Sequence, residues 1–154
     1  MMLSELTGED HILLLKGRYK KEELLYILTK KLCELEDIKD SDAVYSQLIE
    51  REKLGSTGIG NEIAIPHTRI AFIEKPCVLI TLLKDGVNYD SADQRPVKII
   101  FLLLTPEKAL DIHLHLLSHI SRIVGEYDFK SKVLNANTKD EVFHILEGVE
   151  KGDK

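Results

Sequence analysis

Several features that define common protein classes are scarce in this 154-residue sequence. It has two cysteines, Cys33 in a helical run and Cys77 in an apolar strand, and their spacing does not match a metal site. Two isolated buried thiols are typical of a reducing compartment, so we expect a cytoplasmic protein. The N-terminus lacks the basic and apolar regions of a signal peptide.

Long apolar runs are also lacking. The longest, residues 77–83 and 99–104, are far shorter than the roughly 20 residues that span a bilayer, so we expect no membrane insertion. The net charge of −5 disfavours nucleic acid as a partner. With 44% hydrophobic and 31% charged residues, and no internal repeat, the composition is typical of one globular domain covering residues 1–154.

Hydrophobic periodicity predicts strands and helices that alternate along the chain. Strands are predicted for residues 11–15, 63–65, 77–83, 87–89 and 97–104, with a turn at 84–86. Helices are predicted for residues 19–36, from Ser41 or Asp42 to about 53, from 107 to 124, from 128 to 134, and from Thr138 to 148. Glu141 completes a capping box with Thr138. The interleaving predicts an α/β fold, a mixed sheet sandwiched between helices on both faces (three layers, α/β/α).

The segment 54–69 combines a glycine-rich loop with a histidine directly after a proline. Gly55, Gly58 and Gly60 permit backbone conformations that turn N–H groups toward an anion. Pro66 restricts the residue before it to an extended shape, so His67 leaves the strand end in a defined direction. A histidine beside backbone donors suits a transferable phosphoryl group. A plain surface turn followed by a strand fits the same residues, because isolated glycine-rich loops are weak evidence.

Known nucleotide-binding patterns do not fit this loop. A P-loop ends in Gly-Lys-Ser/Thr, whereas Gly60 is followed by Asn61 and Glu62. A dinucleotide fingerprint requires a helix after the glycines, and the next segment here has the composition of a strand. The loop therefore predicts neither a nucleotide nor a dinucleotide cofactor.

The helix predicted for residues 107–124 carries three histidines. A helical wheel puts His113 on the buried stripe and both His115 and His119 on the opposite, solvated face. His115 and His119 have the i, i+4 spacing of metal ligands, but no third ligand is evident, so we predict no metal. His113 is either a core histidine or a hydrogen-bond donor to a phosphoryl group on His67.

These residues resemble the signature of a known family. The segments Arg51-Glu52, 56–61 and 64–67 are similar to the signature of type 2 enzyme IIA (EIIA) domains, the fructose–mannitol family of the bacterial phosphoenolpyruvate-dependent sugar phosphotransferase system (PTS). The strand ending at Leu104, the following Pro106, the His113-Leu114 pair and the capped last helix occur in family order. The resemblance therefore covers nearly the whole chain.

The resemblance implies a phosphotransferase with a phosphohistidine intermediate and no cofactor. His67 is expected to accept a phosphoryl group from the phosphocarrier protein HPr and to pass it to enzyme IIB, which phosphorylates a sugar during its transport through membrane enzyme IIC. It also implies that His113 is a second active-site histidine and that Arg51 lies at the site. The phosphoryl-binding loop is expected to comprise Ser56, Thr57, Gly58, Gly60 and Asn61, with loop N–H groups and the Thr57 hydroxyl as donors.

Two other functions stay open at this point. A regulatory protein like the nitrogen-related enzyme IIA proteins has compatible residues and signals by its phosphorylation state. A small-anion or metal-binding module that uses the loop and helix histidines is a third hypothesis. The sequence also departs from the family, because Glu62 replaces a frequent glycine and Thr68-Arg69 replaces a small residue and lysine. Since Glu62 would repel a phosphoryl group, we expect it to point outward.

Overall fold

The computed structural model describes residues 1–126 and 128–152 and contains one six-stranded mixed sheet. The strands are β1 (Ile12–Leu15), β2 (Gly58–Gly60), β3 (Ile63–Ala64), β4 (His67–Ile70), β5 (Cys77–Val87) and β6 (Val97–Pro106). Their order is β1-β5-β6-β3-β2, and β4 also pairs with β6. The β5–β6 pair is antiparallel, whereas β1 pairs parallel to β5, and β3 and β4 pair parallel to β6.

Helices cover both faces of the sheet. They are α1 (Leu3–Leu6), α2 (Lys21–Leu35), α3 (Ser41–Lys53), α4 (Leu110–Val124), α5 (Phe129–Leu134) and α6 (Lys139–Glu150), with a 3₁₀ turn at Glu9–His11. Helices α2 and α3 pack on one face, and α1, α4, α5 and α6 pack on the other. Within the described ranges, no helix has the length and apolarity to cross a membrane.

Strand β6 shows why two layers of helices form. Its apolar side chains alternate between the two faces and are all buried, so each face needs its own cover. Ile99, Phe101 and Leu103 pack toward α4, α5 and α6, while Ile100, Leu102 and Leu104 pack toward α2 and α3. The predicted three-layer α/β/α architecture is confirmed.

Strands β3 and β4 lie in one line along β6 and are separated at Pro66. Ile63 pairs with Ile99 and His67 pairs with Leu103, so the register is the same on both sides of the break. The ladder is interrupted because Pro66 has no N–H and the Ile65 N–H donates to the Thr57 carbonyl at 3.0 Å. The prediction that His67 follows a strand end was therefore incomplete, because His67 is also the first residue of β4.

The turn and second strand predicted for residues 84–89 were wrong. Strand β5 continues through this segment to Val87, which pairs with Val97, while Leu82 pairs with Ile99. Between these two paired positions β5 has more residues than β6, and the extra residues of β5 form a bulge. Gly86 has a φ of 72°, which this bulge accommodates because glycine has no Cβ.

Helix boundaries follow the sequence signals closely. The Asp40 side chain caps α3 by accepting from the Ala43 N–H at 3.1 Å. Thr138 caps α6 by accepting from the Glu141 N–H at 3.1 Å, which confirms the forward half of the predicted capping box. Asp128 precedes α5 as predicted, but its side chain makes no capping hydrogen bond.

Candidate functional site

His67 is half-buried at the start of β4, and a backbone hydrogen bond fixes its ring. Its Nδ1 atom lies 2.6 Å from the Ile65 carbonyl oxygen. Since a carbonyl only accepts, Nδ1 carries the proton and Nε2 keeps its lone pair. Burial lowers the pKa of His67 below its ordinary value, and the positive charge of Arg51 acts in the same direction. The ring is therefore a neutral nucleophile near neutral pH.

His113 in the first turn of α4 lies beside His67. The two ring centroids are 5.5 Å apart, with an interplanar angle of 55°. His113 is 7% exposed, and its Nδ1 atom is 2.6 Å from the hydroxyl oxygen of Thr105 near the end of β6. Burial and the neighbouring His67 and Arg69 lower the pKa of His113 to about 4. The structure thus brings together two neutral imidazoles that are far apart in sequence.

Arg51 lies in the last turn of α3, directly before the glycine-rich loop. Its Nη1 atom donates to the Gly55 carbonyl at 2.9 Å, which ties the guanidinium to the loop. A guanidinium has five N–H donors, so this bond leaves others for an anion. Its positive charge also acts on the His67 ring and helps to lower the pKa of that ring.

The first half of the loop is held by side chains. The Thr57 N–H donates to Glu52 at 3.1 Å, and the Thr57 hydroxyl donates to the same carboxylate. Ser56 Oγ accepts from the Gly58 N–H at 3.1 Å and donates to the Tyr89 carbonyl at 2.9 Å. The expectation that the Thr57 hydroxyl donates to a phosphoryl group was therefore wrong for this structure, since a buried carboxylate already takes its proton.

Glycine is required at Gly58 by close approach rather than by backbone conformation. A Cβ atom at this position would overlap the Ser91 side chain and contact the Tyr89 ring. Gly60, in contrast, has a φ of 88°, which disfavours other residues. The two glycines thus shape the loop for different reasons.

Charged side chains hold the second half of the loop in place. The Asn61 N–H donates to Asp93 at 2.8 Å, and the Asn61 side-chain oxygen accepts from Lys130 at 3.0 Å. Asn61 and Glu62 both have positive φ values, of 58° and 71°, which complete the turn into β3. Asn61 is therefore fixed at both its backbone and its side chain.

Glu62, which was expected to point outward, contacts three basic side chains. Its side chain is 13% exposed and forms ion pairs with Arg95 at 3.0 Å, Lys130 at 3.3 Å and Lys98 at 3.5 Å. Burial opposes ionisation, but hydrogen bonding and charge from Lys130 outweigh it and lower the pKa of Glu62. Three cations thus compensate the negative charge of Glu62, the residue that replaces the frequent glycine.

His119 was wrongly predicted to lie on a solvated face. It is 7% exposed, its Nε2 atom lies 2.6 Å from Glu150, and its Nδ1 atom lies 2.6 Å from the Arg122 guanidinium. The wheel missed this because Glu150, the last residue of α6, bonds to this side of α4. The exposed His115 ring stacks on His119 at 5.9 Å. Across residues 1–126 and 128–152, no group of three or more His, Cys, Asp or Glu side chains has the arrangement of a metal site.

Two residues that hold the loop received no role from the sequence. Glu52 is next to Arg51 in the motif and lies in the last turn of α3, so its position beside a predicted site residue was a signal for a role in the site. Tyr89 lies far from the motif in sequence, is fully buried, and donates to Glu52 at 2.9 Å. No local pattern marks Tyr89, because only the fold brings it to the loop.

The comparison with known families identifies the chain. Residues 5–149 match the family model described as phosphoenolpyruvate-dependent sugar phosphotransferase system, EIIA 2. The chain belongs to this family. The match confirms the family resemblance seen in the motif over nearly the whole length of the chain. EIIA domains of this type are phosphotransfer proteins.

Relatives of this EIIA chain have two kinds of name. It is 35% identical to a nitrogen regulatory protein of Pseudomonas aeruginosa, over 96% of this chain and 95% of the relative. It is 31% identical to the fructose-specific EIIA component of the PTS in Haloferax volcanii, over 94% of each chain. The crystal structure of nitrogen regulatory protein IIA-Ntr from Neisseria meningitidis superposes with a TM-score of 0.85 at 31% identity, covering 93% of this chain and 97% of that one.

Proposed function

We propose that residues 1–154 form a single cytoplasmic EIIA domain in which His67 accepts a phosphoryl group from HPr and passes it to an enzyme IIB domain. The observation that carries the proposal is the hydrogen bond from His67 Nδ1 to the Ile65 carbonyl, which leaves Nε2 as the nucleophile beside His113. The two free buried cysteines, Cys33 and Cys77, support the cytoplasmic location.

The transfer needs no acid–base step at the nucleophile. The lone pair of His67 Nε2 attacks phosphorus in line, the bond between phosphorus and the donor atom of HPr breaks, and its electron pair returns to that atom. As the new bond forms, the His67 ring gains positive charge. The Ile65 carbonyl oxygen, which accepts from Nδ1–H, stabilises that charge.

Two side chains are proposed to stabilise the oxygens of the transferred group. Arg51 offers guanidinium N–H donors beside the ring, and the Thr105 hydroxyl, by donating to His113 Nδ1, would leave a proton on His113 Nε2 to donate to the phosphoryl group. Because the pKa of His113 is about 4, that ring donates one hydrogen bond as a neutral group and does not become charged. In this proposal the loop of Ser56, Thr57, Gly58, Gly60 and Asn61 shapes the site.

The surface around the site supports a protein as donor and acceptor. Large apolar side chains are exposed on the segments that carry the site: Leu54, Ile59, Phe72, Leu110 and Leu114. Leu54, which precedes the glycine loop, is 85% exposed. Apolar side chains left exposed on the segments that carry a site are typical of protein interaction surfaces. A small-anion site would not need them, which favours phosphoryl exchange with proteins.

The test is phosphoryl labelling of the purified protein. We expect incubation with phosphoenolpyruvate, enzyme I and HPr to label the chain with acid-labile phosphate, and His67→Ala to abolish the label. His115→Ala, at an exposed ring, is the matched control and should label fully. Labelling that survives His67→Ala would contradict the proposal, and equal loss in both variants would favour the anion- or metal-binding module instead.

A second candidate function is regulation by phosphorylation state. It is supported by the nitrogen regulatory names of the Pseudomonas relative and of the Neisseria structure. The Haloferax relative supports the transport role equally directly. Mixing the phosphorylated protein with a fructose-specific IIB domain distinguishes the two, since a transport component should lose its label to IIB within seconds to minutes and a regulator should keep it.

A further inference from the structure

We propose that Glu52, together with Lys21 and Tyr89, is a positioning residue that fixes the tautomer and orientation of His67 through a chain of hydrogen bonds. The proposal goes beyond the phosphoryl-binding residues and rests on the proposed role of His67 as acceptor. None of the three side chains belongs to the motif residues expected to bind the phosphoryl group. They come from α3, α2 and the segment after β5.

The Glu52 carboxylate is buried and fully used. Its side chain is 6% exposed, and Oε2 accepts from Lys21 Nζ at 2.9 Å and from the Thr57 N–H at 3.1 Å. Oε1 accepts from the Tyr89 hydroxyl at 2.9 Å and from the Thr57 hydroxyl. A buried carboxylate is costly unless its lone pairs are satisfied, and here four donors converge on it.

A continuous series of hydrogen bonds connects this carboxylate to the nucleophile. Glu52 accepts from the Thr57 N–H, the Thr57 carbonyl accepts from the Ile65 N–H at 3.0 Å, and the Ile65 carbonyl accepts from His67 Nδ1 at 2.6 Å. Each bond fixes the residue whose next polar group makes the following bond. The position of the Ile65 carbonyl, and with it the His67 ring, therefore depends on Glu52.

Lys21 and Tyr89 brace the carboxylate from elements outside the motif. Lys21 Nζ forms the ion pair with Glu52 and also lies 4.4 Å from the centre of the Tyr89 ring, so the cation contacts both side chains. The Tyr89 carbonyl accepts from Ser56 Oγ at 2.9 Å, which holds the residue before Thr57. Both ends of the Ser56-Thr57 segment are thus attached to the same buried cluster.

The consequence for chemistry is control of which nitrogen reacts. A neutral imidazole has two tautomers, and only the form with the proton on Nδ1 presents the Nε2 lone pair to phosphorus. If the Ile65 carbonyl shifts, the second tautomer and other ring orientations become populated. Misplacing a reacting group by about 1 Å typically costs up to about 100-fold in rate.

The experiment compares wild type with Glu52→Gln. This change keeps the shape of the side chain, removes its charge and replaces one acceptor oxygen with a donor. We expect the two ring ¹⁵N shifts of His67, measured by NMR on the full chain above the pKa of the ring, to move toward each other as both tautomers are sampled. The rate of phosphoryl acceptance from phosphorylated HPr should fall by about 10- to 100-fold.

Glu150→Gln is the matched control. Glu150 is also a buried carboxylate, accepting from His119 and from the Leu3 and Ser4 N–H groups at 2.6–2.8 Å, but it lies outside the chain of bonds to His67. It should destabilise the fold and leave the His67 shifts and the transfer rate unchanged. An equal effect in both variants, or unchanged shifts and rate in Glu52→Gln, would overturn the proposal.

Two further outcomes keep the test decisive. If Glu52→Gln does not fold, Tyr89→Phe removes one donor from Oε1 and keeps the charge; it should shift the His67 nitrogens in the same direction by less, and no shift would refute the proposal. If wild type accepts no phosphate, the proposed function fails. The tautomer shift then still tests the role of Glu52, because it is measured without phosphorylation.

Discussion

Helix α4 carries two buried histidines with opposite surroundings. His119 is fixed at both ring nitrogens, by Glu150 at 2.6 Å and by Arg122 at 2.6 Å. His113 has one hydrogen-bond partner among the described residues, Thr105, and its ring lies against His67. The same side chain on the same helix is thus a structural cross-link at one position and part of the candidate site at the other.

His119 has a carboxylate partner and His113 has none among the described contacts. His11, His119 and His144 each lie within 4 Å of an acidic side chain. Among the described contacts, His67 and His113 have none, and burial lowers the pKa of both. Carboxylate partners raise the pKa of His11 despite its burial. A histidine that is desolvated and has no carboxylate as a direct partner stays neutral, which a nucleophile and a neutral donor both require.

The largest effect should come from removing the His113 ring, which lies in the candidate site. We expect His113→Ala to accept phosphate still, because excess phosphoenolpyruvate drives slow loading to completion. Onward transfer to enzyme IIB should fall by about 100- to 1000-fold, the usual cost of losing one donor to a transition-state oxygen. Single-turnover discharge of the phosphorylated protein measures this rate.

His119→Ala is the control for that experiment and should show the reverse pattern. It leaves the buried Glu150 short of one donor, so the free energy of unfolding should fall by about 1–3 kcal/mol in chemical denaturation. Discharge to enzyme IIB should stay close to wild type. Unaltered discharge in His113→Ala would remove His113 from the mechanism.

A smaller effect should appear in the pH dependence of stability. The folded pKa of His113, about 4, is below the ordinary value of 6.5. Above pH 6.5 both states are neutral, and below about pH 4 both are protonated. Between these values the unfolded chain binds a proton that the folded chain excludes. The unfolding free energy should therefore fall with decreasing pH, by at most about 1.4 kcal/mol per pH unit from this group.

His113→Gln should lack this contribution. Urea denaturation of wild type and variant at several pH values between 8 and 4 gives the difference directly. We expect the wild type to lose stability relative to His113→Gln as the pH falls from 6.5 toward 4. Parallel curves would show that the folded His113 is not kept neutral by its surroundings.

Local signals sufficed for much of the fold and for part of the site. Apolar periodicity and capping residues predicted the three-layer sandwich and most helix boundaries, because those elements form from nearby residues. The wheel also put His113 on the buried stripe, where it is found, and the motif drew attention to His67 and Arg51. Local signals left open whether His113 lies beside His67, because strand pairing between β4 and β6 is what brings the two segments together.

The remaining features depend on contacts between distant segments. The bulge in β5 was mistaken for a turn because Lys84, Asp85 and Gly86 have turn chemistry, and only pairing with β6 keeps the strand continuous. His119 is buried and bonds to Glu150 of α6, a contact between distant segments that no single-helix wheel can show. Tyr89 meets Glu52 only in the folded chain, so the cluster that holds the loop had no signal around Tyr89.

The most direct test of the central claim is to determine which nitrogen of which residue carries the phosphate. Phosphorylated protein with ¹⁵N-labelled histidine should show phosphorus coupled to Nε2 of His67, with the proton kept on Nδ1 toward the Ile65 carbonyl. Phosphate on Nδ1 of His67, or on any other residue, would contradict the account, because the hydrogen bond that leaves Nε2 as the nucleophile would then not direct the chemistry.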